Sequence, residues 1–233
     1  MESPLSIVSG YWSVKNKHDL KYLEWFKSSL QIQCPYVFFG NKESIELIKT
    51  YRGTLPTYYI ELAIEDFYTY KFKNIFKIDR SHCPSAELNM IWNEKIFLIE
   101  KASKINPFNS THFAWIDAGI CTYRTKTPPS IPFPNISKLN KLPLDKFIFT
   151  SSDRPYFEPK LLSKYYHYVS GTYLLNIHII SSFINLYKEY LDKLVTPNNI
   201  YTDQVILTHI YKDHPELFYK LGHGYGELVP LLY

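Results

Sequence analysis

The stretch "HFAWIDAGI" at residues 112–120 is an apolar run that ends in one carboxylate, Asp117, followed by Ala118 and Gly119. This pattern predicts a buried strand that ends in a turn. Turn chemistry alone accounts for such an acid, because Asp bonds its own backbone and Gly accepts positive φ. The alternative is functional: ligands bind at strand ends in α/β sheets, so an acid beside small residues can face a substrate there.

Composition limits the class of protein. A chain of 233 residues with 45% hydrophobic content can bury a core without disulfides or a metal, and we expect one domain over residues 1–233. The net charge of +4 is spread along the chain without dense Lys/Arg blocks, which argues against nucleic-acid binding. The cysteines, Cys34, Cys83 and Cys121, have no C-x-x-C spacing, which favours a reducing compartment over a disulfide framework or a zinc site.

The N-terminal residues 1–14 carry an acid, Glu2, directly after Met1 and lack the basic region and long apolar core of a secretory signal. No apolar window approaches the length of a membrane span. We therefore expect a cytoplasmic protein without a transmembrane segment.

Apolar runs alternate with amphipathic stretches, at spacings that predict strands and helices in turn. The clearest helix spans residues 85–105, with Ser85 as its N-cap and Glu87 in its first turn. The proline-rich residues 125–143 have no regular period and predict a long irregular excursion. This order predicts an α/β fold, a mixed sheet with helices on both faces. The remaining predicted strands are 5–8, 34–40, 74–79, 112–117, 146–152, 165–176 and a short one within 216–233, and the remaining predicted helices are 18–30, 42–52, 177–194 and 202–214.

Several motifs occur in an order that resembles a known family. They are "IVSGYW" (7–12), "KYLEWF" (21–26), "PYVFF" (35–39), "ELNMIWNEKIFLIEKA" (87–102), "NPFNSTHFAWIDAG" (106–119) and, more loosely, "TDQVIL" (202–207). The chain resembles the HtrL/YibB-type family of bacterial and viral glycosyltransferases. The resemblance implies a GT-A-like, Rossmann-like fold, a nucleotide-sugar donor, and transfer of the sugar to a glycan or other acceptor hydroxyl. For a viral source, the expected location is the host cytoplasm.

The resemblance also implies a metal site. In typical GT-A enzymes the corresponding strand ends in an Asp-x-Asp motif, whose acids hold Mn²⁺ or Mg²⁺ against the donor diphosphate. Here Ala118 and Gly119 follow Asp117, so the second acid is missing and Asp117 has an alternative role in binding ribose or a metal-bound water. We expect Asp117 and Gly119 on the donor side. His223, in "LGHGYG", is a candidate second metal ligand; the alternative is a solvated loop histidine.

Two cations are candidates for the donor diphosphate, which needs positive charge when the metal site is incomplete. Lys95 falls on the apolar face of its helix, an unusual place for a charge, although a lysine can also extend its ammonium to solvent. Arg52 precedes Gly53 at a helix end, where the helix macrodipole favours a cation without any ligand.

The second half of the chain supplies candidates for the acceptor side. Ser170, Gly171 and Thr172 resemble the small-residue strand of GT-A folds, and a bulge or close strand contact is the alternative. Asp203 is the candidate catalytic base for the acceptor proton, although an acid in a first helical turn is stabilising by itself. Two functions remain open: a nucleotide-sugar-dependent glycosyltransferase, or a catalytically silent GT-A-like domain that binds a glycan or a protein.

Overall fold

A computed structural model describes residues 2–15, 20–76, 83–152, 167–196 and 202–233. Within these ranges seven strands form one sheet. The strands are β1 (Leu5–Tyr11), β2 (Tyr36–Gly40), β3 (Thr57–Glu61), β4 (His112–Trp115), β5 (Phe147–Ser151), β6 (Val169–Asn176) and β7 (Phe218–His223).

The strand order is β3-β2-β1-β4-β6-β5-β7. Strands β1 to β4 are parallel to one another, β7 is parallel to β5, and β6 is antiparallel to both β4 and β5. Six strands therefore have their carboxyl ends on the side of the sheet where β6 begins. The chain moves outward from β1 through β2 to β3, and β4 then lies on the other side of β1. The order reverses between β1 and β4, and this is the point at which open α/β sheets bind ligands.

Helices cover both faces of the sheet. One face packs against α3 (Ala86–Ile105), α5 (Ile177–Leu194) and α6 (Asp203–Asp213), and the other packs against α1 (Lys21–Ser29), α2 (Lys42–Arg52), the short α4 (Ile136–Leu139) and α7 (Leu228–Leu232). Strand residues alternate between the two cores, as the period of two in a pleated strand requires. For example, Phe113 and Trp115 face α3, while Ala114 and Ile116 face the opposite layer.

The long helix α3 has the ends that its sequence predicts. Ser85 Oγ accepts a hydrogen bond from the Leu88 backbone N–H, and Asn106 ends the helix in the left-handed region at φ 41°. Within the helix, buried Glu94 accepts three hydrogen bonds from the backbone N–H groups of Tyr68 and Thr69 and the Thr69 hydroxyl. Burial raises the pKa of Glu94 to about 7 even though these hydrogen bonds oppose the shift.

The predicted fold class is confirmed: the sheet is mixed, GT-A-like and Rossmann-like in its order, with helices on both faces. The strand β3 was not predicted, although its "TYYIE" sequence is rich in aromatic and β-branched residues. The strand predicted at residues 74–79 is wrong at 74–76, which form a turn and irregular chain, and residues 77–79 lie outside the described ranges. The predicted irregular excursion contains one short helix, α4. No helix of the described residues combines the length and apolar character needed to cross a membrane.

Candidate functional site

A cleft opens at the switch point between the ends of β1 and β4. It holds roughly 610 Å³ of empty space, including its open mouth. Of the described residues that line it, three are charged, Lys95, Asp117 and Arg124, so the lining carries one net positive charge. The other lining residues are aromatic, aliphatic or glycine: Gly10, Tyr11, Trp12, Val14, Tyr22, Leu88, Ile91, Trp92, Trp115, Ala118 and Gly119.

Asp117 lies just beyond the end of β4, and two neighbours fix its carboxylate. Trp115 lies two residues earlier on the same face of the chain, and its indole Nε1 donates to Asp117 Oδ1 at 2.7 Å. The hydroxyl of Tyr225 donates to Oδ2 at 3.3 Å. The side chain remains 30% exposed, so the oriented carboxylate still faces the cleft.

Lys95 projects from α3 into the sheet and lies between two acids. Its Nζ is 3.1 Å from Asp117 Oδ1 and 3.2 Å from Asp203 Oδ2, and its side chain is only 4% exposed. Burial disfavours the ammonium, but the two carboxylates outweigh that effect and raise the pKa of Lys95. Lys95 is therefore a buried cation beside Asp117, and its predicted role as a ligand of the donor diphosphate stays a prediction.

Asp203 begins α6, and its carboxylate lies behind Lys95. It is nearly fully buried and is absent from the described residues that line the cleft. Burial raises the pKa of Asp203, and the Lys95 ammonium opposes that shift. The prediction of Asp203 as the acceptor base is not supported, because an acceptor in the cleft meets Lys95 and Asp117 before it meets this carboxylate. The contacts of Asp203 fit a residue that positions Lys95.

The predicted acceptor-side segment contributes one residue to the site. A Cβ on Gly171 would lie 3.1 Å from the Tyr225 hydroxyl and 3.2 Å from Lys95 Nζ, so only glycine leaves both groups their present positions. Ser170 and Thr172 point to the opposite face and are fully buried. Ser170 Oγ is 3.2 Å from Thr150 Oγ1. The prediction that Ser170 and Thr172 face an acceptor is therefore wrong, because both side chains are buried away from the cleft.

Arg124 adds a second cation to the cleft. Its guanidinium stacks on the Trp25 ring at 3.7 Å, and its Nε donates to the Gly119 carbonyl at 3.0 Å. Gly119, predicted on the donor side, lines the cleft and packs against Tyr22, because a Cβ at this position would lie only 3.0 Å from that ring. Burial and the Asp117 charge raise the pKa of Tyr22 to about 12, which keeps its hydroxyl neutral.

The prediction of Arg52 as a donor ligand is wrong. Its guanidinium is buried at the opposite edge of the sheet, where β2 and β3 begin, and it stacks on the Tyr36 ring at 3.9 Å. Its N–H groups donate to one hydroxyl, that of Thr57, and to the backbone carbonyls of Leu30, Ile32, Cys34 and Pro56. These bonds hold the chain that leads into two strands and leave the guanidinium no access to the cleft.

The predicted metal ligands do not come together. His223 is exposed, its Nδ1 lies 2.9 Å from Ser151 Oγ, and no ion pair joins it to Asp117 among the described residues. The residue of this segment that reaches Asp117 is Tyr225. In the same described ranges, no three His, Cys, Asp or Glu side chains form a group that could hold a metal ion. The residues around Asp117 therefore do not fit a resident divalent cation.

The sequence profile of a family described as "Bacterial protein of unknown function (HtrL_YibB)" matches residues 59–227. The chain belongs to the HtrL_YibB family. The matched region includes α3, the end of β4, the start of α6 and Tyr225. Lys95, Asp117 and Asp203 therefore all lie within the part of this HtrL_YibB chain that matches the family. The comparison with curated proteins gives no match.

Two solved structures are similar to this HtrL_YibB chain over 94% of its length. One is the apo-form glycosyltransferase GlyE of Streptococcus pneumoniae TIGR4, at 12% identity and a TM-score of 0.49. The chain spans 45% of that protein. The other is 4-diphosphocytidyl-2C-methyl-D-erythritol synthase from Anaerococcus prevotii DSM 20548, at 11% identity, a TM-score of 0.45 and 88% coverage of that chain.

Three residues of the HtrL_YibB site escaped the sequence analysis: Trp115, Arg124 and Tyr225. Trp115 had a usable signal, because residues two apart on a strand share a face with each other. Tyr225 lies between Gly224 and Gly226, which both have positive φ, so the turn that aims it depends on backbone geometry that sequence spacing does not give. Arg124 follows a single 3-10 turn, Cys121–Tyr123, and directly precedes the irregular residues 125–143, so it has no periodic signal.

Proposed function

We propose that this chain is a glycosyltransferase that binds a nucleotide-sugar donor in the cleft and transfers the sugar to an acceptor hydroxyl. The observation that carries the proposal is the position of Asp117: an oriented carboxylate at the end of β4, in a cleft at the switch point of the sheet. The family resemblance supplies the reaction class. We also propose, from the sequence, that the protein acts in the cytoplasm.

The lining of the cleft suits such a donor. An ionised carboxylate only accepts hydrogen bonds, so Asp117 is suited to the hydroxyls of a ribose or a sugar. Tyr11, Trp12 and Trp92 provide aromatic surface for a base or a sugar ring, as small-molecule sites commonly do. The net positive lining, in which Arg124 is bonded to the Gly119 carbonyl, complements the negative charge of a diphosphate.

Calorimetry with uridine, guanosine, cytidine and thymidine diphosphates and their sugars tests the proposal. At least one ligand should bind the wild-type protein, and Asp117→Asn should weaken it by roughly tenfold or more while the protein stays folded. Asp145→Asn is the matched control, because Asp145 is an exposed acid just before β5, at the opposite edge of the sheet. If all ligands fail to bind, or both variants behave alike, the donor site is not in this cleft.

The second candidate function, a catalytically silent binding domain, is favoured by the partners of Asp117. Both of its oxygens already have donors or a cation beside them. The two functions differ in product formation: a transferase releases nucleoside diphosphate from the donor in the presence of an acceptor or water, whereas a binding domain leaves it intact. Chromatography of the bound donor after incubation separates the two cases.

A further inference from the structure

Both oxygens of the Asp117 carboxylate already have partners within the chain, and Oδ1 has two. Trp115 Nε1 and Lys95 Nζ lie 2.7 and 3.1 Å from Oδ1, and the Tyr225 hydroxyl lies 3.3 Å from Oδ2. A divalent cation bound to Oδ1 would have to displace one of its two donors. It would also lie close to the ammonium, which is of the same sign.

The ammonium of Lys95 cannot leave its position easily. It extends from the middle of α3, is buried, and has Asp203 on its far side at 3.2 Å. The absence of a side chain at Gly171 gives it the room it occupies. A lysine on a surface would swing away when a cation arrives, but this one is held by a second buried acid and by packing.

A second cation is held in the same cleft by different means. Arg124 is oriented by its stacking on Trp25 and by its bond to the Gly119 carbonyl, which uses Nε. A guanidinium carries five N–H donors, and its two terminal nitrogens match the oxygens of a phosphate. Arg124 and Lys95 together thus place two positive charges in the lining of the cleft that also holds Asp117.

We propose that the cleft binds the diphosphate of its ligand without a divalent cation, with Lys95 as the resident cation beside Asp117 and Arg124 as the side chain that contacts the phosphates. This inference rests on the proposed donor site. It replaces the expectation that Mn²⁺ or Mg²⁺ bridges Asp117 and the donor.

The test is calorimetric titration of the full chain with the four nucleoside diphosphates, once with excess EDTA and once with excess Mn²⁺. The dissociation constant of the ligand that binds should agree within about twofold between the two conditions. Binding that needs Mn²⁺ would overturn the metal-free site and leave the donor site standing. Absence of binding in both conditions would overturn both proposals.

Two further measurements bear on the residues. Arg124→Gln should weaken the binding of the diphosphate by about tenfold or more. Arg124→Lys, which keeps the charge but not the planar guanidinium, should recover only part of the lost affinity. Lys104→Gln is the matched control, because Lys104 is an exposed cation at the end of α3, and it should leave the affinity unchanged. Paramagnetic resonance of Mn²⁺ mixed with the free protein should give the signal of the free ion. A bound ion that Asp117→Asn releases, or an Arg124→Gln variant with unaltered affinity, would contradict the proposal.

Discussion

Replacing Lys95 by Met removes the cation between Asp117 and Asp203 and keeps most of the apolar stem. At an effective dielectric constant of about 20, charges 3.2 Å apart attract by about 5 kcal/mol, and part of this offsets the cost of burying both groups. Breaking a buried pair on one side typically costs 3–5 kcal/mol, because the other charge stays buried without a partner. We therefore expect Lys95→Met to lower the free energy of unfolding by about 3–5 kcal/mol, or the Tm by roughly 6–20 °C.

The pH dependence of this loss distinguishes electrostatics from packing. Burial already raises the pKa of Asp203, and Lys95 is the group that opposes the shift, so the variant should raise that pKa further. The folded variant then binds a proton more tightly than the unfolded chain, and its stability should rise as the pH falls below the folded pKa of Asp203. Denaturant unfolding at several pH values, with Lys104→Met as the control, measures this. A loss below about 1 kcal/mol, or one that is equal at every pH, would refute the reasoning.

Three further predictions concern residues on and off the site. Arg52→Met should destabilise the protein by about 3 kcal/mol or more, since several buried carbonyls lose their donor, yet leave nucleotide affinity unchanged; reduced affinity in a folded variant would contradict its structural role. Gly171→Ala should lower the free energy of unfolding by about 1–3 kcal/mol and weaken nucleotide binding, because its Cβ crowds Lys95 and Tyr225. Wild-type stability and affinity in this variant would contradict the prediction. Because burial raises the pKa of Glu94 to about 7, this residue takes up a proton on folding. Its contribution to the free energy of unfolding should fall by roughly 3 kcal/mol as the pH rises from about 4.5 to 7, and it should vanish in Glu94→Gln. Parallel pH profiles of the two proteins would contradict this prediction.

The sequence predicts the parts of this fold whose signals are local. Helices α2 and α3 and the N-cap Ser85 follow from periodicity and capping, which depend only on neighbouring residues. The order of the strands in the sheet depends on pairing between distant segments, and the unpredicted β3 was a short aromatic run without strict alternation. Local sequence patterns therefore predict the individual helices and strands better than they predict the order of the strands in the sheet.

The site shows the same division. A lysine on an apolar helical face and an acid after a buried strand were visible in the sequence, and both belong to the cleft. Their relation to Asp203 was not visible, because only the tertiary fold brings the start of α6 to the middle of α3. For the same reason Arg52 was misjudged: its position at a helix end was evident, but its carbonyl partners belong to the chain before β2 and β3.

The hydrogen bond from Tyr225 to Asp117 joins residues that are 108 positions apart in the chain. Among the described residues, every charged one in the lining of the cleft lies before residue 125, yet one of the two donors that orient Asp117 comes from the last ten residues. A fragment that ends after Arg124 would contain the lining charges without Tyr225, Asp203 or Gly171. The first half of the molecule is thus not a self-sufficient binding module, and a ligand in the cleft draws on the folding of both halves at once.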